Sequence, residues 1–137
     1  MPAVLVDTGP LVALLDRSDP NHVNCEEALK SINAPLVTVW PVITEAMYLR
    51  RSFQPAQEGL LEMLETRAVE LVPLELADVP RMRELIRKYR DLPMDLADAA
   101  LVCVAEREKI RQVFTIDRRD FQIYRPSRLG RFSILPS

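Results

Sequence analysis

Four carboxylates stand where an ionised group is costly. Asp7 ends the apolar run Ala-Val-Leu-Val, and Glu45 lies inside Trp-Pro-Val-Ile-Thr-Glu-Ala-Met-Tyr-Leu. Asp98 opens Ala-Ala-Leu-Val-Cys-Val-Ala, and Asp117 ends Val-Phe-Thr-Ile. A carboxylate taken out of water must be paired, hydrogen-bonded or bound to metal to offset its lost hydration. Were the four to converge, each pair ~4 Å apart would repel by about 4 kcal/mol at an effective dielectric of 20, so a cation is required among them. Neither Cys25, Cys103 nor the single His22 has a partner at metal-ligand spacing. All-oxygen donors therefore select a hard ion, Mg²⁺ or Mn²⁺, ahead of Ca²⁺, for which no EF-hand spacing exists. Such ions serve phosphate-ester chemistry, in which bound metal activates water and stabilises charge on the phosphoryl oxygens.

These acids need elements to position them. Residues 3–7 read as a short buried strand that turns through Thr8-Gly9-Pro10 into the apolar Leu11–Leu15. A second helix starts at Asp19-Pro20 and runs to about Ile32, with Val23, Ala28, Leu29 and Ile32 inward. Further strands are expected at 35–39, 69–74, 112–116 and 132–135. Helices are expected at 41–51, from Gln54-Pro55 with Leu60, Leu61 and Leu64 inward, at 78–90 with Met82, Leu85, Ile86 and Tyr89 inward, and at 95–108. Short apolar strands alternating with helices predict a parallel sheet covered on both faces, an α/β fold, because a parallel crossover requires an intervening helix. Ligands of such sheets bind beyond the carboxyl ends of the strands, which is where Asp7 and Asp117 fall and where Glu45 follows within one helical turn. Asp98 shares a helix face with Leu101, Val102 and Ala105, so its side chain is expected to point inward at the same rim. Asp95, three residues earlier, reads first as the helix N-cap and alternatively as a direct or water-mediated metal contact.

Bulk properties narrow the class. The 137 residues suit one domain, 1–137, and no apolar run approaches the ~20 residues of a membrane-spanning helix. No Lys or Arg precedes Asp7, so a charged secretory leader is not expected and the protein is read as cytoplasmic. The two cysteines read as buried free thiols, and His22 as structural or solvent-exposed. Net charge is −2, yet residues 107–137 hold eight Lys or Arg against three acids. That local basicity fits either phosphate contact or a solvated surface.

Val-Leu-Val-Asp7-Thr8-Gly9, Glu45 within Val-Ile-Thr-Glu-Ala, Asp98 within Leu-Ala-Asp-Ala-Ala-Leu-Val, and Phe-Thr115-Ile-Asp117-Arg-Arg-Asp120-Phe121 together resemble the PIN domain, the nuclease fold of VapC-type toxins. The resemblance spans essentially the whole chain. It implies a three-layer α/β/α fold with strand order 3-2-1-4-5, and Asp7, Glu45, Asp98 and Asp117 as the acids that bind one or two Mg²⁺ or Mn²⁺ ions. It also implies RNA as substrate, a homodimer, and a small antitoxin that blocks the acidic pocket. Thr8 and Thr115 match hydroxyl positions that hydrogen-bond the acids, with turn or helix capping as their other reading. Asp120 matches an acid just outside the quartet and reads equally as structural.

One departure stands out: Trp40-Pro41 occupies a place where the family has a small polar residue. Trp40 reads as a core or dimer-interface residue, or as a base-stacking one, and Arg118, Arg119 and Arg125 as phosphate contacts or surface ion pairs. Two other functional classes compete. A phosphotransfer protein on a similar sheet is disfavoured, because Asp7-Thr-Gly lacks a second acid two positions on and no Lys follows a late strand in the needed place. A non-catalytic RNA- or protein-binding module keeps the fold without the chemistry.

Overall fold

The computed structural model describes residues 3–136. Five strands, β1 (Val4–Val6), β2 (Leu36–Thr38), β3 (Glu70–Leu71), β4 (Gln112–Phe114) and β5 (Ser133–Leu135), form one sheet ordered β3-β2-β1-β4-β5. Every pairing is parallel. The expected order is therefore observed. All three β1 residues are buried, as a central strand covered on both faces requires.

Seven α-helices connect and cover the strands among the described residues: α1 (Thr8–Leu14), α2 (His22–Ser31), α3 (Trp40–Leu49), α4 (Gln54–Glu65), α5 (Val79–Lys88), α6 (Leu96–Glu108) and α7 (Arg118–Ile123). Proline explains several starts. Pro41, Pro55 and Pro80 each sit in a first turn, where the missing N–H would have had no helical partner. The chain moves from β1 outward to β3, then returns to β4 on the other side of β1. Right-handed crossovers consequently lay helices on opposite faces, and the reversal opens a crevice at the carboxyl ends of β1 and β4.

The α6 helix is the most deeply placed, with eight of its residues buried from Ala97 to Ala105. Its small side chains allow close approach to α3 and α5. A second anchor is aromatic: Tyr89 meets Tyr124 edge-on at 5.0 Å, Phe121 meets Tyr124 at 5.2 Å, and Phe121 meets Phe132 at 5.5 Å between ring centroids. Such pairs favour these edge-to-face geometries and hold α7 rigidly beside β5.

Several expectations need correction. β3 spans two residues where six were expected, since Val72 continues only as a single bond to the Thr38 carbonyl before the chain turns away. Val23, expected inward on α2, is 62% exposed; Leu61 and Ile86 are also exposed, because each helix buries a narrower stripe than its apolar count implies. The α7 helix is an element that the sequence pattern does not predict. It is one and a half turns long with only Phe121 buried, too short to carry a periodic signal.

Candidate active site

Asp7 is placed by the end of β1, where its backbone N–H donates to the Phe114 carbonyl of β4 at 2.9 Å and the chain turns at once into α1. Its carboxylate is buried and accepts the Thr115 hydroxyl at 2.7 Å. The same Thr115 oxygen accepts the Asp117 N–H at 2.9 Å. One buried hydroxyl thus ties two of the acids together. On the other flank, the Thr8 hydroxyl donates to Glu45 Oε1 at 2.6 Å, fixing the half-buried glutamate of α3 against the start of α1. Gly9 completes this corner: a Cβ there would lie 3.0 Å from the Ile116 side chain. A larger residue would push on the loop that carries Asp117.

Asp98 lies in the first turn of α6, and its Oδ2 accepts the Tyr124 hydroxyl at 2.8 Å. Asp95 caps that helix, accepting the Asp98 N–H at 2.8 Å. Asp117 caps α7 in the same manner, accepting the Asp120 N–H at 3.3 Å. Asp117 is exposed on the rim, three residues beyond the end of β4, and so does not terminate the strand as its apolar approach led one to expect.

A cleft of about 420 Å³ at the carboxyl edge of the sheet is lined by Asp7, Glu45, Asp98 and Asp117 together with Thr8, Asp95 and Asp120. Gly9, Leu49, Pro93 and Ile116 complete its wall. Among the described residues six carboxylates face it and no cationic side chain does. The consequence is visible in proton affinity. Burial raises Asp7 from its ordinary 3.8 to about 6, against the Thr115 bond and with help from the charges of Glu45 and Asp117. Burial and the nearby Asp7 charge raise Asp98 to about 8, outweighing the Tyr124 bond. Burial and Asp117 raise Asp120 as well.

Among the described residues no three acidic, thiol or imidazole groups are spaced to enclose an ion. The carboxylates line an open cleft and do not form a closed cage. This suits Mg²⁺, which keeps several waters and is commonly held by one or two carboxylates plus substrate oxygens. The donor chemistry, all oxygen and net negative, fits the same ion class.

Tyr124 is the site residue that the sequence reading missed. Its hydroxyl is the direct partner of Asp98, and burial together with the bond to that acid pushes the phenol far above its ordinary range. The only sequence signal was its place in the aromatic run after Asp117, four residues beyond Asp120. His22 plays no part here: its Nδ1 lies 2.7 Å from the Ala13 carbonyl and its Nε2 3.4 Å from Glu26. Arg118 and Arg125 donate to the carbonyls of Pro136 and of Ile123 and Tyr124, tying down backbone. Both cysteines are buried free thiols.

Residues 4–126 match the PIN domain family. The chain is 33% identical over 135 residues to ribonuclease VapC26 of Mycobacterium tuberculosis, an alignment that covers 97% of this chain and all of the relative. Among solved structures, the fold is similar to Mycobacterium tuberculosis VapC20, described as a sarcin-ricin loop cleaving toxin, with a TM-score of 0.78 at 18% identity over 85% of this chain and 91% of that one. It is also similar to a chain of a toxin–antitoxin complex from Klebsiella pneumoniae, with a TM-score of 0.66 at 18% identity over 86% and 89% of the two chains. No helix among the described residues is long and apolar enough to cross a membrane. The topology, the acids gathered at the sheet's switch point and the full-length kinship agree: the chain belongs to the PIN domain family.

Proposed function

We propose that this chain is a divalent-metal-dependent endoribonuclease, the toxin of a type II toxin–antitoxin pair, acting in the cytoplasm as one catalytic unit over residues 1–137. One observation carries the reading: a cleft faced, among the described residues, by six carboxylates and no cation, three of them with proton affinities raised by burial and mutual charge. The 33% identity to a ribonuclease over nearly the whole chain supports RNA as the substrate. The toxin–antitoxin complex among the similar folds supports a protein partner that silences the site; a homodimer is the assembly we assign from the family resemblance.

In this reading Asp7, Glu45, Asp98 and Asp117 would hold Mg²⁺ or Mn²⁺, some of them through the waters the ion retains. The ion, when bound, supplies a water of lowered pKa and polarises the phosphate. The chain's own groups supply alignment. Thr8 holds Glu45, Thr115 holds Asp7 and the Asp117 backbone, and Tyr124 holds Asp98, so each acid has limited freedom to rotate away. Asp95 and Asp120 stand at the cleft wall as helix-cap and rim groups, adding negative charge that favours a cation without being required as ligands.

Cleavage of a labelled single-stranded RNA by purified protein tests this. Mg²⁺ or Mn²⁺ should support cleavage, EDTA should stop it, and Asp98→Asn should be inactive while retaining its circular dichroism spectrum. Protein that binds RNA but never cleaves it with either metal would identify the alternative, a non-catalytic RNA-binding module on the same fold.

A further inference from the structure

The acid cleft has a neighbour that the proposed chemistry does not use. A second cleft, of about 560 Å³, is lined by Trp40, Pro41, Tyr48 and Leu96 and shares Glu45 and Asp95 with the first. Trp40, Tyr48 and Leu96 are 55, 61 and 52% exposed, which rules out the core role weighed for Trp40. Trp40 opens α3 and is followed by Pro41 in the first turn, so its ring is carried on a backbone with little freedom. Trp40, Thr44 and Tyr48 recur every four residues on one helix face. The Thr44 hydroxyl donates to the Trp40 carbonyl at 3.1 Å, so it adds no free donor of its own to this floor. At the Tyr48 end, the Arg51 guanidinium lies 4.0 Å from the ring centroid.

We propose that this cleft seats a nucleobase of the RNA strand, stacked on Trp40 beside the phosphodiester held at the acid cleft. The inference rests on the nuclease reading above. A base is planar, uncharged and apolar on its faces, which matches a floor built from the Trp40 and Tyr48 rings with Pro41 and Leu96. It is also tethered to a phosphate, and the two clefts share a wall, so a strand with its phosphate at Glu45 has a base within reach of Trp40. Arg51 supplies the cation for the following phosphate. Stacking on an aromatic face accepts any base and adds affinity with little sequence preference. A second copy of the chain is the competing occupant, but a two-fold contact centred here would bring two sets of Glu45 and Asp95 into one interface, where like charges repel.

Trp40 is the sole tryptophan, so its fluorescence reports on this cleft alone. Full-length protein is titrated with a ten-nucleotide oligoadenylate, and separately with an abasic oligonucleotide of the same length, in EDTA and in Mg²⁺, with cleavage of a mixed-sequence RNA followed in parallel. Saturable quenching by the oligoadenylate and none by the abasic strand is the expected result. Trp40→Ala should weaken binding of a labelled strand about tenfold or more, raising KM with kcat little changed, and Trp40→Phe should restore most of the loss. Cleavage without quenching would overturn the base site and leave the nuclease reading standing. Emission that shifts with protein concentration and ignores RNA would overturn it in favour of a contact between chains. Absence of both RNA binding and cleavage would overturn both proposals together.

Discussion

The two ends of α6 carry half-buried acids in opposite circumstances. At its C-terminal end Glu106 receives two bonds from Arg81, at 2.8 and 2.7 Å, and the Ser127 N–H at 2.8 Å. Next to it, Arg107 pairs with Asp78 and donates to the Pro73 carbonyl at 2.6 Å. Asp78 is held below its ordinary pKa, chiefly by the Glu75 N–H with Arg107 adding to it, and Glu106 is held below its own by Arg81 and Ser127 against the opposing effect of burial. At the N-terminal end Asp98 has a tyrosine and a cluster of like charges, and its pKa is pushed up to about 8. The same helix therefore shows an acid that the protein has neutralised and an acid that it has left needing a cation. An acid paired internally ties the fold together, and an acid denied a partner marks where something else must bind.

Exchanging the circumstances of the two ends should break that contrast. The largest effect belongs to the unpaired end: Asp7→Asn or Asp98→Asn should lower kcat for RNA by about 10²-fold or more, on the scale of losing one preorganised electrostatic group, while the unfolding temperature holds or rises in metal-free buffer. The paired end should behave in reverse. Arg81→Ala or Arg107→Ala should cost about 1–2 kcal/mol of stability in urea titrations, tempered because both guanidiniums are about a third exposed, and should leave cleavage per folded molecule unchanged.

Acidity separates the ends by window. The folded state holds Asp7 and Asp98 protonated up to about 6 and 8, whereas the unfolded chain releases those protons near 3.8. Between roughly pH 4 and pH 8 the native protein binds more protons than the unfolded one, so metal-free stability should fall as pH rises. Asp98→Asn should remove most of that slope. Asp78 and Glu106, held below their ordinary values, add stability above those values and lose it only as pH falls through the depressed ones. Urea midpoints in EDTA from about pH 2 to pH 9 read both windows. A smaller effect is expected at Tyr124→Phe, which removes the bond that orients Asp98 and should weaken activity about tenfold, with the aromatic packing and the fold retained.

This contrast was half legible in the chain itself. Asp7 and Asp98 announce themselves because each interrupts a run of buried apolar residues, and the strand-to-turn junction at Asp7-Thr8-Gly9 is a local signal. Strand order came from resemblance, since 3-2-1-4-5 is not written in any one segment. Asp117 was misjudged for a physical reason: Ile116 before it is 37% exposed, so the apolar run leading to it leaves the sheet before it ends. Tyr124 was invisible because its role depends on a partner 26 residues away, brought close only by the packing of α7 against β5. The Arg107–Asp78 pair spans 29 residues and was equally hidden. Trp40 was legible as an anomaly, while its exposure and its shared wall with the acid cleft required the fold.

Calorimetric titration with Mn²⁺ tests the central claim most directly, run on the wild type, on Asp7→Asn with Asp98→Asn combined, and on Asp78→Asn. Saturable Mn²⁺ binding is expected in the wild type, with its loss in the double variant and its persistence in Asp78→Asn. Equal Mn²⁺ binding by the wild type and the double variant would contradict the claim.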